Sequence, residues 1–312
     1  MNTLKPSVNT GGLSINCCSQ QCCTACNIIF ILSVVNKPLP MLKTQVLLLA
    51  IISICFFSCI GRQAYYVSPF NGITNQYHTI PMHKDSARSA SYLNTAISIG
   101  GANEGETDTV YSLTTDISQS NNFSIFLAYY GVGLTVSSYK IKPYDSVGNN
   151  STVNYSVINQ HTGNYFFGGG GFDGGINFVT GSDHFEWRIF GAETFLRQEF
   201  VNYDHVRNHI PDSAATLVIR KRFYGTFGLF TEIVGKGRNS ETGFKMGWGT
   251  VIGSDYHNFH FTDSYFADNP SRFGYFLLNV HTTTNRLTAY IQGNFAKKAA
   301  ACLIGMNYRI SR

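Results

Sequence analysis

An alternation of apolar and polar side chains with a period of two residues constrains the fold of this chain more than any other feature. In the C-terminal sequence ACLIGMNYRISR, apolar side chains at 302, 304, 306, 308 and 310 alternate with mostly small or polar ones. Successive side chains of a β-strand point to opposite faces, so this pattern predicts a strand with one apolar face. The same period recurs in Phe185–Ile189, in Leu217–Ile233 and in Phe244–Trp248. About ten segments of the chain are strand-like in this way.

Turn-like sequences separate neighbouring strand-like segments. Phe273–His281 and Leu287–Phe295 flank the sequence TTTN, and a second predicted hairpin turns at Gly181-Ser182-Asp183. The run Gly168–Gly171 lacks the Lys-Ser/Thr continuation of a phosphate-binding loop. It predicts instead a bend in a strand or a close approach between two backbones.

Composition favours a barrel over a helical protein. The chain has 24 Phe, 18 Tyr and 30 Gly, and charged residues make up only 13%, about half the usual share of roughly 25%. Strand-like segments reach the roughly 9–11 residues that a tilted transmembrane strand requires. We therefore predict an all-β fold, an antiparallel up-and-down β-barrel of about 8–12 strands with its apolar face towards lipid.

The polar face of the predicted strands carries charges of both signs. In a barrel of this size side chains fill the interior, so we predict that these charges form ion pairs in the lumen. Such pairs add little net stability and would mainly prevent an open pore. The candidates are Glu186, Arg188, Arg220, Arg222, Glu232 and Lys245. Parity alone leaves an alternative open, a soluble periplasmic β-barrel lipoprotein whose apolar face points inward and binds an apolar ligand.

The most apolar run of the chain, LLLAIISICFFSC, ends at Cys59. A helix needs about 20 apolar residues to cross the hydrocarbon, and Val46–Phe57 has the length of a signal-peptide core. Met41 and Lys43 supply a start and a positive flank, and a small residue precedes the cysteine. We predict cleavage before Cys59 and its modification with lipid, including palmitate. A plain secretory signal and a buried core segment are the alternatives.

These features divide the chain into four parts. Residues 1–40 are predicted to be a mis-assigned upstream extension, 41–58 a lipoprotein signal peptide, 59–89 a tether, and 90–312 the barrel domain. The tether contains prolines and shows no sustained period.

Several groups of potential metal ligands do not meet the requirements of a metal site. Cys23 and Cys26 form a CxxC without a second ligand pair. His205 and His209 would share a face only in a helix, and the following Pro211 favours a loop. The His- and Asp-containing segment 254–271 has the composition of a loop. We predict no metal and no cofactor.

Neither catalysis nor nucleic-acid binding is predicted. Ser182, His184 and Glu186 lie within five residues, as in a lipid-editing barrel enzyme, but nothing in the sequence fixes their geometry. The formal net charge is +5 with no long basic run, which gives no basis for nucleic-acid binding.

Four short sequences carry a resemblance to a family. Phe56–Cys59, Tyr65–Pro69, AYYGVGLTVSSYKI and IGMNYRISR resemble the outer-membrane β-barrel lipoproteins of Bacteroidota, a family that supplies no catalytic residues to carry over. The resemblance implies a lipid-anchored barrel of the cell outer membrane with a structural or interaction role in the envelope. Its partners would be outer-membrane lipid and other envelope proteins.

The resemblance also implies an orientation. Surface-exported lipoproteins of Bacteroidota carry acidic residues after the lipidated cysteine, whereas Ile60–Ala64 has none. This implies an anchor in the periplasmic leaflet. The long segments 141–160, 201–213 and 254–271 are predicted to face outward, because outer-membrane barrels have short periplasmic turns and long outer loops.

Overall fold

Ten long strands dominate the structure, which is a computed structural model. It describes residues 66–67, 75–82, 89–102, 108–123, 125–143, 159–201, 203–210, 217–218, 221–252, 274–296 and 299–311. The elements in chain order are β1 Tyr66–Val67, β2 Ser89–Ala102, β3 Asp108–Asn122, β4 Phe126–Ile141, β5 Gly163–Gly181, β6 Phe185–Phe200, α1 Tyr203–His209, β7 Leu217–Val218, β8 Phe223–Lys236, β9 Ser240–Ile252, β10 Gly274–Thr284, β11 Leu287–Ala296 and β12 Ala299–Ser311. The predicted signal segment and Cys59 lie outside the described residues.

The long strands form a closed antiparallel barrel. Each of them pairs with its neighbours along the chain, and β12 closes the barrel by pairing with β2 from Ala299–Ala102 to Ser311–Ser91. The short β1 and β7 stand apart as a parallel two-residue pair. The predicted all-β, up-and-down barrel of about 8–12 strands is confirmed, with ten strands in the described barrel.

The two mouths of the barrel differ in their connections. At one, called here the short-turn mouth, β2 begins, β12 ends, and each connection is two or three residues long. The hairpin between β10 and β11 turns there at Asn285, whose φ of 52° lies in the left-handed region that asparagine tolerates. At the other, the long-loop mouth, the longest connections leave β4, β6 and β9. These connections contain the three segments predicted to face outward.

The faces of the strands are divided as the alternation predicts. Leu134, Phe172 and Ile304 are 63–66% exposed on the outside, whereas Asn307 on the other face of β12 is fully buried. A soluble barrel with an apolar interior requires the opposite arrangement. Among the described residues, no helix is long and apolar enough to cross a membrane.

The glycine run in β5 allows a close approach between strands. A Cβ built on Gly171 would lie 1.9 Å from the backbone oxygen of Leu196 on β6. Only a residue without a Cβ fits at that distance. The predicted close backbone approach is therefore present at this glycine.

Candidate functional site: the filled barrel lumen

Residues 75–82, called here the plug segment, lie inside the barrel. All eight are buried, and Tyr77 and Met82 are each only 2% exposed. They belong to the stretch that the sequence predicts as a tether. Extended at about 3.3 Å per residue, eight residues span about 26 Å, close to the roughly 25 Å height of the apolar band of an outer-membrane barrel.

Side chains of the barrel wall form hydrogen bonds with four residues of the plug, from Asn75 to Ile80. Donors from four strands reach the plug's backbone carbonyls: Gln292 to Asn75, Asn307 to Tyr77 at 3.0 Å, Ser120 to Thr79 at 2.8 Å, and Arg188 to Ile80 at 2.8 Å. An extended segment buried in a barrel has no strand partner for these carbonyls. The wall side chains replace that partner and so remove the cost of burying unpaired backbone groups.

The plug runs from the long-loop mouth to the short-turn mouth. The Asn75 amide bonds to Thr226 and to the Tyr275 hydroxyl, and both partners lie near the beginnings of strands that start at the long-loop mouth. Ile80 packs with Leu127 near the beginning of β4, at the short-turn mouth. Upstream of the plug, β1 pairs with β7, which belongs to the long connection between β6 and β8. The chain therefore enters the lumen at the long-loop mouth.

A buried charge network joins the plug to β6 and β8. Arg188 donates to Glu186 at 2.9 Å and to Glu232 at 2.8 Å, and Glu232 also accepts a 2.8 Å hydrogen bond from the Tyr77 hydroxyl. The three charged side chains are at most 3% exposed. The structure thus brings together three of the sequence-predicted lumen candidates, and adds Tyr77, a plug residue that the sequence did not indicate.

Lys245 also lies in the lumen, with a partner that the sequence analysis missed. Its ammonium group is 2.5 Å from Glu193 and 4.0 Å from the centroid of the Phe230 ring. Arg197 and Asp173 form another buried pair at 3.0 Å. Asp173 lies on the inward-facing parity of β5. Glu193 and Arg197 follow a register shift in β6 between Arg188 and Gly191, after which the odd-numbered residues face inward. Extending the alternation of Glu186 and Arg188 along β6 would therefore have placed them on the outer face.

Arg222 does not lie in the lumen, where the sequence predicted it. Arg222 precedes the first residue of β8, and its side chain is 52% exposed and paired with Asp204 at 2.7 Å. Its placement in the lumen was wrong, because the alternation was extended through a segment where the strand is interrupted between β7 and β8. Arg220 lies outside the described residues.

Helix α1 packs over the lumen at the long-loop mouth. Tyr203 stacks on the rings of Tyr139, Tyr165 and Phe167 at centroid distances of 5.3–5.5 Å. Arg207 reaches Glu199 through two hydrogen bonds, of 3.0 and 2.7 Å. Burial raises the pKa of the Tyr203 hydroxyl well above its ordinary value. The expectation of a loop here was wrong, since the segment is helical and is held by these aromatic and charged contacts.

The helical turn does bring the two histidines of α1 together. The rings of His205 and His209 lie 4.2 Å apart, and His209 Nδ1 is 2.6 Å from the backbone oxygen of His205. The nearby carboxylate of Asp204 instead accepts a hydrogen bond from Arg222. The residues of segment 254–271 lie outside the described part of the chain.

The three side chains considered for a lipid-editing enzyme do not converge. Ser182 and His184 are exposed in the connection at the short-turn mouth, whereas Glu186 points into the lumen and is 2% exposed. Glu186 is already bonded to Arg188.

One further group of polar side chains meets deep in the lumen. His78 of the plug lies between Asp116 of β3 and Asp173 of β5, with Nε2 3.4 and 3.8 Å from their carboxylate oxygens. Its ring stacks on Tyr129 at 4.7 Å. Neither ring nitrogen of His78 has a hydrogen-bond partner. The ligand atoms of the three side chains lie within 4.8 Å of one another, close enough to share a metal ion.

A closed antiparallel barrel with an apolar exterior is typical of outer-membrane β-barrels. In this protein the plug segment lies inside the barrel. Solved structures similar to this chain include outer-membrane β-barrels. The β domain of the Bordetella autotransporter BrkA matches at 9% identity and a TM-score of 0.41, over 72% of this chain and all of that one. The KdgM porin matches at 8% identity and a TM-score of 0.25, over 70% of this chain and 99% of that one. The outer-membrane protease OmpT of Escherichia coli matches at 8% identity and a TM-score of 0.26, over 71% of this chain and 96% of that one. No protein-family model and no curated protein matches the chain.

Proposed function

We propose that this protein is a lipid-anchored barrel of the cell outer membrane that forms no open pore and has a structural or interaction role in the envelope. The plug segment is the observation that carries the proposal. It occupies the lumen along its height, and wall side chains from six barrel strands, β3, β6, β8, β10, β11 and β12, bond to it. Helix α1 packs across the mouth at which the plug enters.

The route of the plug bears on where the proposed lipid would lie. Only six residues separate Cys59 from Tyr66, which pairs with β7 at the long-loop mouth. Seven steps of about 3.3 Å reach about 23 Å, less than the roughly 25 Å apolar band alone. A lipid on Cys59 would therefore anchor the chain in the leaflet at the long-loop mouth. Because long loops face outward in such barrels, we propose the outer leaflet in place of the periplasmic leaflet implied by the family resemblance.

Such a protein would hold its mature N-terminus at the cell surface while its barrel spans the membrane. Partners that meet this end would be outer-membrane lipid and other envelope proteins. The exposed apolar belt supports membrane insertion, whereas a ligand-binding soluble barrel would need those side chains inside.

Conductance measures the absence of a pore directly. The full-length protein in a planar lipid bilayer is expected to give no steady ion conductance. A variant in which residues 75–82 are replaced by a Gly-Ser sequence of equal length is expected to give channel openings, because it keeps the chain length and loses the wall contacts. Steady conductance by the unaltered protein would refute the proposal.

Metabolic labelling tests the anchor separately. Cells that produce the protein are expected to incorporate labelled palmitate into it, and Cys59→Ser should abolish that label. Cys302→Ser is the matched control, since Cys302 is exposed on the barrel exterior and should leave the label unchanged. Label that persists in Cys59→Ser would refute the anchor without bearing on the plugged barrel.

A further inference from the structure

We propose that His78, Asp116 and Asp173 form a binding site for one divalent transition-metal ion, zinc in the first instance, which fastens the plug segment to the barrel wall. The three residues come from three elements, the plug, β3 and β5. A shared ion would therefore join segments that are distant in sequence and hold the plug at the middle of its length.

Unpartnered buried atoms point to a missing ligand. Both ring nitrogens of His78 and Oδ2 of Asp116 lack hydrogen-bond partners, although the two side chains are only 2% and 0% exposed. Burying such atoms unpaired is costly. A charge-assisted hydrogen bond between imidazolium and carboxylate would close to about 2.7–2.9 Å, whereas the observed separations are 3.4 and 3.8 Å.

The spacing and the donor set suit zinc. Two ligands bound tetrahedrally at about 2.1 Å lie about 3.4 Å apart, which is the separation of His78 Nε2 and Asp116 Oδ2. One imidazole with two carboxylates is a donor set that zinc and its first-row neighbours accept. Calcium and magnesium prefer oxygen ligands alone and would not use the imidazole.

Neighbouring side chains orient the proposed ligands. Asn94 donates to Oδ1 of Asp116, which leaves Oδ2 for the ion. Arg197 lies 3.0 Å from Oδ1 of Asp173 and donates to Oδ2 at 3.1 Å. The stacked Tyr129 ring fixes the plane of the His78 imidazole. Such outer contacts hold ligands in place in known metal sites.

The ion would enter as the barrel folds, because the ligands are buried once the plug is in place. The experiment therefore refolds the full chain, without a histidine tag, from denaturant into detergent with one equivalent of zinc or cobalt(II). Folding is scored by heat-modifiable migration on a gel. Metal retained after gel filtration is measured by mass spectrometry, and cobalt is also followed by its visible absorption.

Matched variants isolate the site. His78→Gln and Asp116→Asn remove a ligand, while His281→Gln alters another buried lumen histidine, one that contacts the plug through Tyr77. Cysteines near the N-terminus are zinc ligands in their own right, so the scored quantity is the difference in metal per chain. We expect the wild type and His281→Gln to hold one equivalent more than His78→Gln or Asp116→Asn.

Metal content and cobalt absorption distinguish a metal site from its absence. A difference of about one equivalent, with cobalt bands that lack a thiolate contribution and disappear in His78→Gln, supports the site. Equal metal content in folded wild type and folded His78→Gln overturns it. If His78→Gln does not fold, Asp116→Asn gives the same comparison, and a wild type that folds without retaining metal overturns the proposal by itself. None of these results bears on whether the barrel conducts ions.

Discussion

The Tyr77 hydroxyl donates a 2.8 Å hydrogen bond to Oε1 of Glu232, while Oε2 of the same carboxylate accepts one from Arg188. One buried carboxylate thus couples the plug to the barrel wall. The ring of Tyr77 also stacks on His281 at 4.4 Å. The position of the plug is therefore fixed by direct contacts with β8 and β10, and not only by the space that the lumen leaves.

Loss of the Tyr77 hydroxyl should weaken this coupling. Tyr77→Phe removes a hydrogen bond to a buried charged group and is expected to lower the free energy of unfolding by about 1–3 kcal/mol. Urea unfolding from lipid vesicles, followed by fluorescence of the outward-facing Trp187 and Trp248, measures the change. Tyr130→Phe is the control, because its hydroxyl bonds to Gln119 at an exposed position and should change stability by no more than about 0.5 kcal/mol. Equal effects of the two changes would contradict the buried coupling.

Arg188 should be far more important for stability than Arg222. Arg188→Met leaves Glu186 and Glu232 buried without their cation, and removal of one partner of a buried pair typically costs about 3–5 kcal/mol. Arg222→Met removes a pair in which the arginine side chain is 52% exposed and that of Asp204 is 10% exposed, and its effect on the unfolding midpoint should be much smaller than that of Arg188→Met. Both variants are compared by urea unfolding in the same vesicles.

A triple variant tests the reason for the Arg188 effect. If the loss comes from uncompensated carboxylates, Glu186→Gln and Glu232→Gln added to Arg188→Met should recover part of the stability. A triple variant less stable than Arg188→Met alone would count against that explanation.

The close approach of β5 and β6 leaves no room for a side chain at Gly171. Gly171→Ala places a methyl group 1.9 Å from the backbone oxygen of Leu196, so the two strands must move apart. We expect destabilisation of at least about 1–3 kcal/mol and a lower yield of folded barrel. Gly174→Ala is the matched control, because its added methyl group would lie 3.5 Å from the nearest atom, Tyr129 O. The folded fraction on a heat-modifiability gel distinguishes the two, and equal yields would contradict the geometry.

The cost of placing arginine on the apolar exterior should depend on how deep in the membrane the position lies. Ile304 is 65% exposed near the middle of β12, and Ile310 is 51% exposed near its end. Arginine at the bilayer midplane costs about 2–4 kcal/mol, and near the interface about 0–1 kcal/mol. Ile304→Arg should therefore impair folding into vesicles more than Ile310→Arg. Equal costs at the two positions would show that β12 does not cross the bilayer as described.

Much of the fold could be predicted from the sequence, but the plug could not. A two-residue alternation is a local signal, so segments such as 301–310 indicate both a strand and its outward face. The plug sequence NQYHTIPM has no period, and its burial depends on partners far along the chain, such as Asn307 for Tyr77. The signal that could have indicated it is the number of polar side chains on the inner face. A lumen lined by Asn94, Gln292 and Asn307 needs polar partners inside it.

The path of the plug predicts that the chain just upstream of β1 reaches the cell surface. An epitope tag inserted between Gly61 and Arg62, upstream of β1, should be bound by antibody on intact cells. A tag after Asn208, an exposed residue of α1 at the long-loop mouth, should be bound as well. A tag after Arg238, in the turn between β8 and β9 at the short-turn mouth, should be bound only after the outer membrane is permeabilised.

The expected accessibility of the three tags follows from the direction in which the plug segment passes through the lumen. With long loops outside, β1, which pairs with β7 at the long-loop mouth, lies on the outer face, and a chain of about 23 Å between Tyr66 and Cys59 would be too short to cross the apolar band. If the tags at Asn208 and Gly61 were bound only after permeabilisation and the tag at Arg238 on intact cells, the barrel would be inverted. If only the Gly61 tag were hidden, the barrel orientation would stand and the lumen path of the plug would be wrong.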